Sequence, residues 1–123
     1  MQKQQFRSIR RIGKAFFYSL DGLRHAASQE AAFQQELILI ALLSLVAIVL
    51  PFGIYLKVQL LLANIAVLIV ELLNSSIEVL ADKVCKDIDP LIKRAKDMAS
   101  AAVLLTIFAA MLLWCYALYT LFQ

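Results

Sequence analysis

The stretch Val58–Asp82, VQLLLANIAVLIVELLNSSIEVLAD, decides how this chain is built. Thirteen residues from Val58 to Val70 carry no charge, and Glu71 then opens a polar series with Asn74, Glu78 and Asp82 at steps of three, four and four. On an α-helix turning ~100° per residue, these four side chains fall within a sector of about 80°. Asn64, seven positions upstream, joins the same stripe. With Val58 at the far boundary of a ~30 Å hydrocarbon core, a rise of ~1.5 Å per residue sets Glu71 about 20 Å down, still short of the near surface. An ionisable group facing lipid at that depth costs about 2.5 kcal/mol or more, so a carboxylate there points to function.

Of the 123 residues, 63% are hydrophobic, and the mean hydropathy is +0.80. A small soluble domain could not cover that much apolar surface. The expected fold is an all-α integral membrane protein, one domain over 1–123. Leu37–Leu56 and Met98–Phe122 are each long enough to span as helices, whereas the run from Val58 spans only by carrying Glu71 and Asn74 with it. No ten-residue alternating segments suggest membrane strands. The reading is a surface helix over about 6–27 and spans over about 30–50, 58–84 and 91–121.

Charge orients the chain. Lys3, Arg7, Arg10, Arg11, Lys14 and Arg24 precede the first span, and Lys83, Lys86, Lys93, Arg94 and Lys96 lie between the second and third. Lys57 alone marks the opposite turn. The positive-inside rule then puts the N-terminus and the second loop in the cytoplasm and the C-terminus outside. All nine acidic residues lie on the cytoplasmic side or in its half of the membrane, so the chemistry is expected there. No secretory signal peptide is read, because the basic N-terminus leads into an amphipathic segment.

In that segment Phe6, Ile9, Gly13, Phe16, Leu20, Leu23 and Ala27 form an apolar stripe beside a basic face, the pattern of a helix lying in the membrane surface. Gly22 is expected to loosen it, and Ser28 to cap a new helix from Gln29. Glu30 and Glu36 then flank the entry to the first span. Pro51-Phe52-Gly53 breaks the run, with a turn expected over Pro51–Lys57, and Pro90 starts or precedes the third span after a loop at 86–90. Ala95, Ala99, Ser100, Ala102, Thr106 and Ala110 permit close helix packing. Trp114, Tyr116 and Tyr119 suit the outer interface. Cys85 and Cys115 suggest neither disulfide nor metal site, and the lone His25 reads as a surface residue.

Carboxylates at an interface can hold Mg²⁺, which uses one or two of them together with substrate phosphates. The basic side chains nearby would neutralise phosphate oxygens. Gly13, Gly22 and Gly53 are the only glycines and form no phosphate loop. The residues alone therefore support an interfacial polar site, with acid–base or metal chemistry both open.

Glu-Leu-Leu-Asn-Ser-Ser-Ile-Glu at 71–78, Asp82, Ala-Lys-Asp-Met-Ala-Ser-Ala-Ala-Val at 95–103 and Glu-Ala-Ala-Phe-Gln-Gln-Glu at 30–36 closely resemble the bacterial diacylglycerol kinase family. The resemblance runs from about Arg11 to Trp114. It implies an enzyme of the bacterial inner membrane that transfers the γ-phosphoryl group of Mg-ATP to the primary hydroxyl of a membrane lipid alcohol. By the same resemblance Glu71 would be the general base, supported by Asn74, with Glu30 and Glu78 as Mg²⁺ ligands. Arg11, Tyr18, Glu30, Glu78, Lys96 and Asp97 would form the ATP site. Arg11, Glu71, Ser100 and Trp114 would meet the lipid. The family fold implies a homotrimer with composite sites between chains, and no nucleic-acid partner is expected. Asp21 and Gln34 stand where relatives commonly carry basic residues, Ser76 where they carry Ala, and Ala99 where they carry Gly. Diacylglycerol is the expected acceptor, with undecaprenol as the alternative within the family. A small channel or transporter subunit is the alternative from another class, against which the sparse polarity of the outer half counts. A structural or regulatory membrane peptide would leave the aligned carboxylates without a purpose.

Overall fold

The computed structural model describes the backbone of residues 2–84 and 89–123 and the side chains of residues 11–84 and 89–123. Readings that involve the side chains of Lys3, Phe6, Arg7, Ile9 and Arg10, or Cys85, Lys86, Asp87 and Ile88, lie outside the described residues. Four helices follow in order: α1 (Gln2–Gln29), α2 (Ala31–Val49), α3 (Ile54–Val84) and α4 (Pro90–Thr120). The last three are long and apolar enough to cross a membrane. At ~1.5 Å per residue, α3 and α4 extend about 46 Å, so each can traverse a ~30 Å core and still project beyond it.

α3 packs against both α2 and α4, and α1 packs on α2. The buried face of α3 is Leu60, Asn64, Val67, Glu71 and Asn74, recurring at steps of four and three. In α2, Phe33, Ile40 and Ala47 are buried at intervals of seven, and in α4 Ala99, Ala110 and Ala117 at intervals of eleven and seven. Such spacing keeps one seam of each helix turned inward along a shallow crossing. Alanine on α4 lets the backbones approach where lipid supplies no hydrophobic drive for association. One core layer joins Ala47, Phe52, Leu60 and Ala117 near the turn between α2 and α3; the next joins Ile40, Val67 and Ala110. Around them, large side chains such as Ile38, Leu42, Leu62, Leu105 and Phe108 stay exposed on the single chain. Their chemistry suits lipid.

The local boundaries differ from the sequence expectation at three points. α1 continues unbroken through Gly22 to Gln29. Ser28 does not cap α2; its hydroxyl donates back to the His25 carbonyl at 3.1 Å, the local bond that serine readily makes inside a helix. The break falls at Glu30 instead, whose extended backbone (φ −96°, ψ 105°) separates the helices and whose side chain makes no capping hydrogen bond. The outer turn is also shorter than expected, because α3 begins at Ile54 and the Lys57 amide already donates to the Gly53 carbonyl at 3.0 Å. Buried Phe52 anchors this turn by meeting Trp114 edge-on at 6.5 Å.

Asp89 caps α4, accepting from the backbone amides of Leu91 at 2.7 Å and Ile92 at 3.1 Å, with Pro90 in the first turn where no amide donor is needed. Asp89→Ala should therefore lower stability by about 1 kcal/mol. Thermal unfolding of the detergent-solubilised variant beside the unaltered chain checks this, and an unchanged midpoint would deny the cap its role.

Candidate functional site

Glu71 is 3% exposed on the inward face of α3. It stands there because the seam that buries Leu60 and Val67 continues through it without changing register. Asn74 and Ser75 follow on the same side, also buried, and are the polar side chains that act on the Glu71 carboxylate. One turn further, Glu78 is half-buried, and its Oε1 accepts from Asn74 Nδ2 at 3.4 Å. Glu78 and Glu30 both place their charge on Glu71, and Glu71 in turn acts on Glu36. Four carboxylates from α2, α3 and the α1–α2 junction thus share one region. Ser75 is a member that sequence reasoning did not single out, and Glu36 one that it placed only at the entry to the first span. Ser75, four residues after Glu71, was accessible from the same helical spacing that selected Asn74.

Two oxygens in this cluster, Glu36 Oε2 and Asn74 Oδ1, are buried with no hydrogen-bond partner. Unpaired oxygens among carboxylates suit a hard divalent cation. Among the described residues no three His, Cys, Asp or Glu side chains converge closely enough to form a cage by themselves. Mg²⁺ entering with a phosphate-bearing ligand needs only one or two protein carboxylates, a number this cluster can offer without a closed protein site.

Lys96 reaches across from α4 and pairs with Asp82 of α3 at 2.9 Å. Its neighbour Asp97 points elsewhere on the helix, where it pairs with Lys93 at 2.7 Å. Consecutive helical residues do not share a face, so Lys96 and Asp97 do not form one unit within the chain. Ser100 is exposed one turn beyond Lys96.

Three further candidates are not brought to the carboxylates by a single chain. Arg11 and Tyr18 are exposed on α1, about 28 Å and 18 Å along that continuous helix from Glu30 at ~1.5 Å per residue. Trp114 lies toward the other end of the bundle. Its indole N–H turns inward, and Nε1 donates to Asn64 Oδ1 at 3.1 Å. A half-buried indole N–H needs an acceptor, and Asn64 provides it. Tyr116 and Tyr119 are exposed, as are His25 and Cys115.

A cleft of about 830 Å³ opens between α1 and α3, lined by Ser19, Asp21, His25, Glu30, Ser75 and Ser76 together with apolar side chains. A second groove of about 380 Å³ is wholly apolar, lined by Ala27, Phe33, Leu37, Ile65, Leu68 and Ile69. Leu23 and Leu72 border both. The two cavities are thus neighbours along α3, meeting at these two leucines.

A model of the family described as prokaryotic diacylglycerol kinase matches residues 17–118. The chain is similar to a diacylglycerol kinase of Escherichia coli K12, with 43% identity over 112 residues covering 91% of this chain and 92% of that protein. It is similar to one of Helicobacter pylori, 41% identical over 114 residues, covering 88% and 84%. A third, from Pseudomonas aeruginosa, is 39% identical over 106 residues, covering 86% of each.

Proposed function

The chain belongs to the prokaryotic diacylglycerol kinase family, and from that premise we propose that it transfers the γ-phosphoryl group of ATP to diacylglycerol, giving phosphatidic acid and ADP. It is a multi-pass membrane protein of bacterial type, with three helices long and apolar enough to span. The observation that carries the reading is the burial of Glu71 inside an apolar bundle, with Asn74 and Glu78 ranked above it toward water. A lipid hydroxyl stays below the surface while ATP stays in water, so the proton acceptor must lie deeper than the groups that meet the triphosphate.

In this reading the Glu71 carboxylate accepts the proton of the primary hydroxyl as its oxygen bonds to the γ-phosphorus. The bond from that phosphorus to the bridging oxygen breaks, and ADP leaves. Asn74 orients the carboxylate face through its contact with Glu78. Glu30 and Glu78 would hold Mg²⁺, which would neutralise charge on the phosphates. Lys96 adds positive charge at the cytoplasmic end of α3 and α4. Positioning and charge neutralisation supply most of the rate. The apolar trough beside Leu72 gives an acyl chain a place to lie while the headgroup reaches the neighbouring cleft.

The remoteness of Arg11 and Tyr18 within one chain supports a site completed by a neighbouring copy, in a homotrimer with α1 along the membrane surface. Ser100 and Asp97, exposed on α4, would face such a neighbour. The N-terminus and the site face the cytoplasm and the C-terminus lies outside, a reading that the distribution of basic residues supports.

The acceptor is tested by offering the purified chain diacylglycerol and undecaprenol in mixed micelles with Mg-ATP. Preferential formation of phosphatidic acid is expected. Phosphorylation of undecaprenol alone would replace the acceptor while keeping the reaction.

A further inference from the structure

Asn64 is 1% exposed, the most deeply buried polar side chain among the described residues, and the reaction above gives it no task. Its Nδ2 donates to Ser44 Oγ at 3.1 Å, and its Oδ1 accepts from Trp114 Nε1 at 3.1 Å. Ser44 belongs to α2 and Trp114 to α4, so one amide is held from both neighbouring helices. The ring of Phe52 braces the indole from the turn.

Inside a bilayer, apolar side chains gain little by exchanging lipid for one another, so apolar packing alone resists rotation of a helix weakly. A buried amide has no such freedom. Rotating α3 would strip both polar groups of their partners where no water replaces them. Seven residues separate Asn64 from Glu71, a spacing that returns to the same face within about 20° and lies ~10 Å along the axis. A side chain about 5–6 Å from the helix axis moves ~1 Å when the helix turns by about 10°. Misplacement on that scale can cost about a hundredfold in rate.

We propose that Asn64 is a positioning residue for phosphoryl transfer: tied to Ser44 and Trp114, it fixes the rotation of α3 and thereby aims Glu71 and Asn74 at the reacting hydroxyl. The inference rests on Glu71 as the proton acceptor.

The test uses the purified full chain in mixed micelles. Asn64→Leu keeps the branched shape of the side chain and removes both hydrogen bonds. It should lower kcat about ten- to a hundredfold with KM for ATP unchanged, and with helix content and elution volume unchanged. Trp114 is the only tryptophan, so its fluorescence reports the lost bond directly, as emission at shorter wavelength. Asn64→Gln, which retains the amide's donor and its acceptor, should recover part of the lost kcat. A purely structural role would lower the thermal midpoint and leave kcat per folded protein intact. The proposal is overturned by a kcat within about twofold of the unaltered chain alongside shifted emission. Should Asn64→Leu fail to assemble, Ser44→Ala carries the same test: a severalfold fall in kcat supports the proposal and an unchanged kcat overturns it. Glu71→Gln is measured in parallel. Full turnover there removes the proton acceptor itself, whereas an inactive Glu71→Gln beside a fully active Asn64→Leu defeats the positioning role alone.

Discussion

Glu71→Gln should lower kcat by about a hundredfold or more while the protein remains membrane-embedded and assembled. The substitution keeps the side chain's size and removes only its ability to take a proton. Burial among Val67, Asn74 and Ser75 leaves little space for water to substitute as acceptor. Because glutamine also removes a negative charge that shares its region with Glu30, Glu36 and Glu78, folding stability should hold or rise. Steady-state kinetics beside size-exclusion elution separates the two effects. Turnover equal to the unaltered chain would exclude Glu71 as base.

Glu30→Gln and Glu78→Gln should each raise the Mg²⁺ concentration needed for half-maximal rate by about tenfold or more, with part of the rate restored at high Mg²⁺. The two carboxylates sit differently. Glu30 occupies the extended break between α1 and α2 and is not engaged as a cap, whereas Glu78 already accepts from Asn74 through one oxygen. Replacing Glu78 therefore also releases Asn74, and Glu78→Gln should show the larger loss of kcat at saturating Mg²⁺. Titration of rate against Mg²⁺ at fixed ATP measures both. Metal dependence unchanged in both variants would remove them as ligands, and chelation of Mg²⁺ by excess EDTA should stop turnover of the unaltered chain.

The seam of α3 was legible in the sequence because its period is carried by residue types: Glu71, Asn74 and Glu78 interrupt an apolar run at helical spacing. The order of the carboxylates along α3 followed from the same count. What surrounds them did not. Ser44 and Trp114 lie 20 and 50 residues from Asn64, and their bonds depend on how three helices are rotated against one another. Nothing in local spacing records that rotation. Trp114 consequently read as an interfacial anchor, although its N–H faces inward. Ser28 was misplaced as a cap because serine near a helix start has two local options, and here it bonds back to His25. The start of α3 moved to Ile54 because Gly53 and Phe52 complete the reversal in fewer residues than the composition of 51–57 suggested. Arg11 and Tyr18 illustrate the reverse limit. Their family resemblance places them at a site, yet a single straight α1 holds them far from Glu30.

The most direct measurement is an experimental structure of the assembled protein with Mg²⁺, a non-hydrolysable ATP analogue and diacylglycerol. The Glu71 carboxylate should lie within hydrogen-bonding distance of the lipid's primary hydroxyl, with Glu30 and Glu78 at the metal above it. A Glu71 turned toward acyl chains, remote from both hydroxyl and nucleotide, would contradict this account.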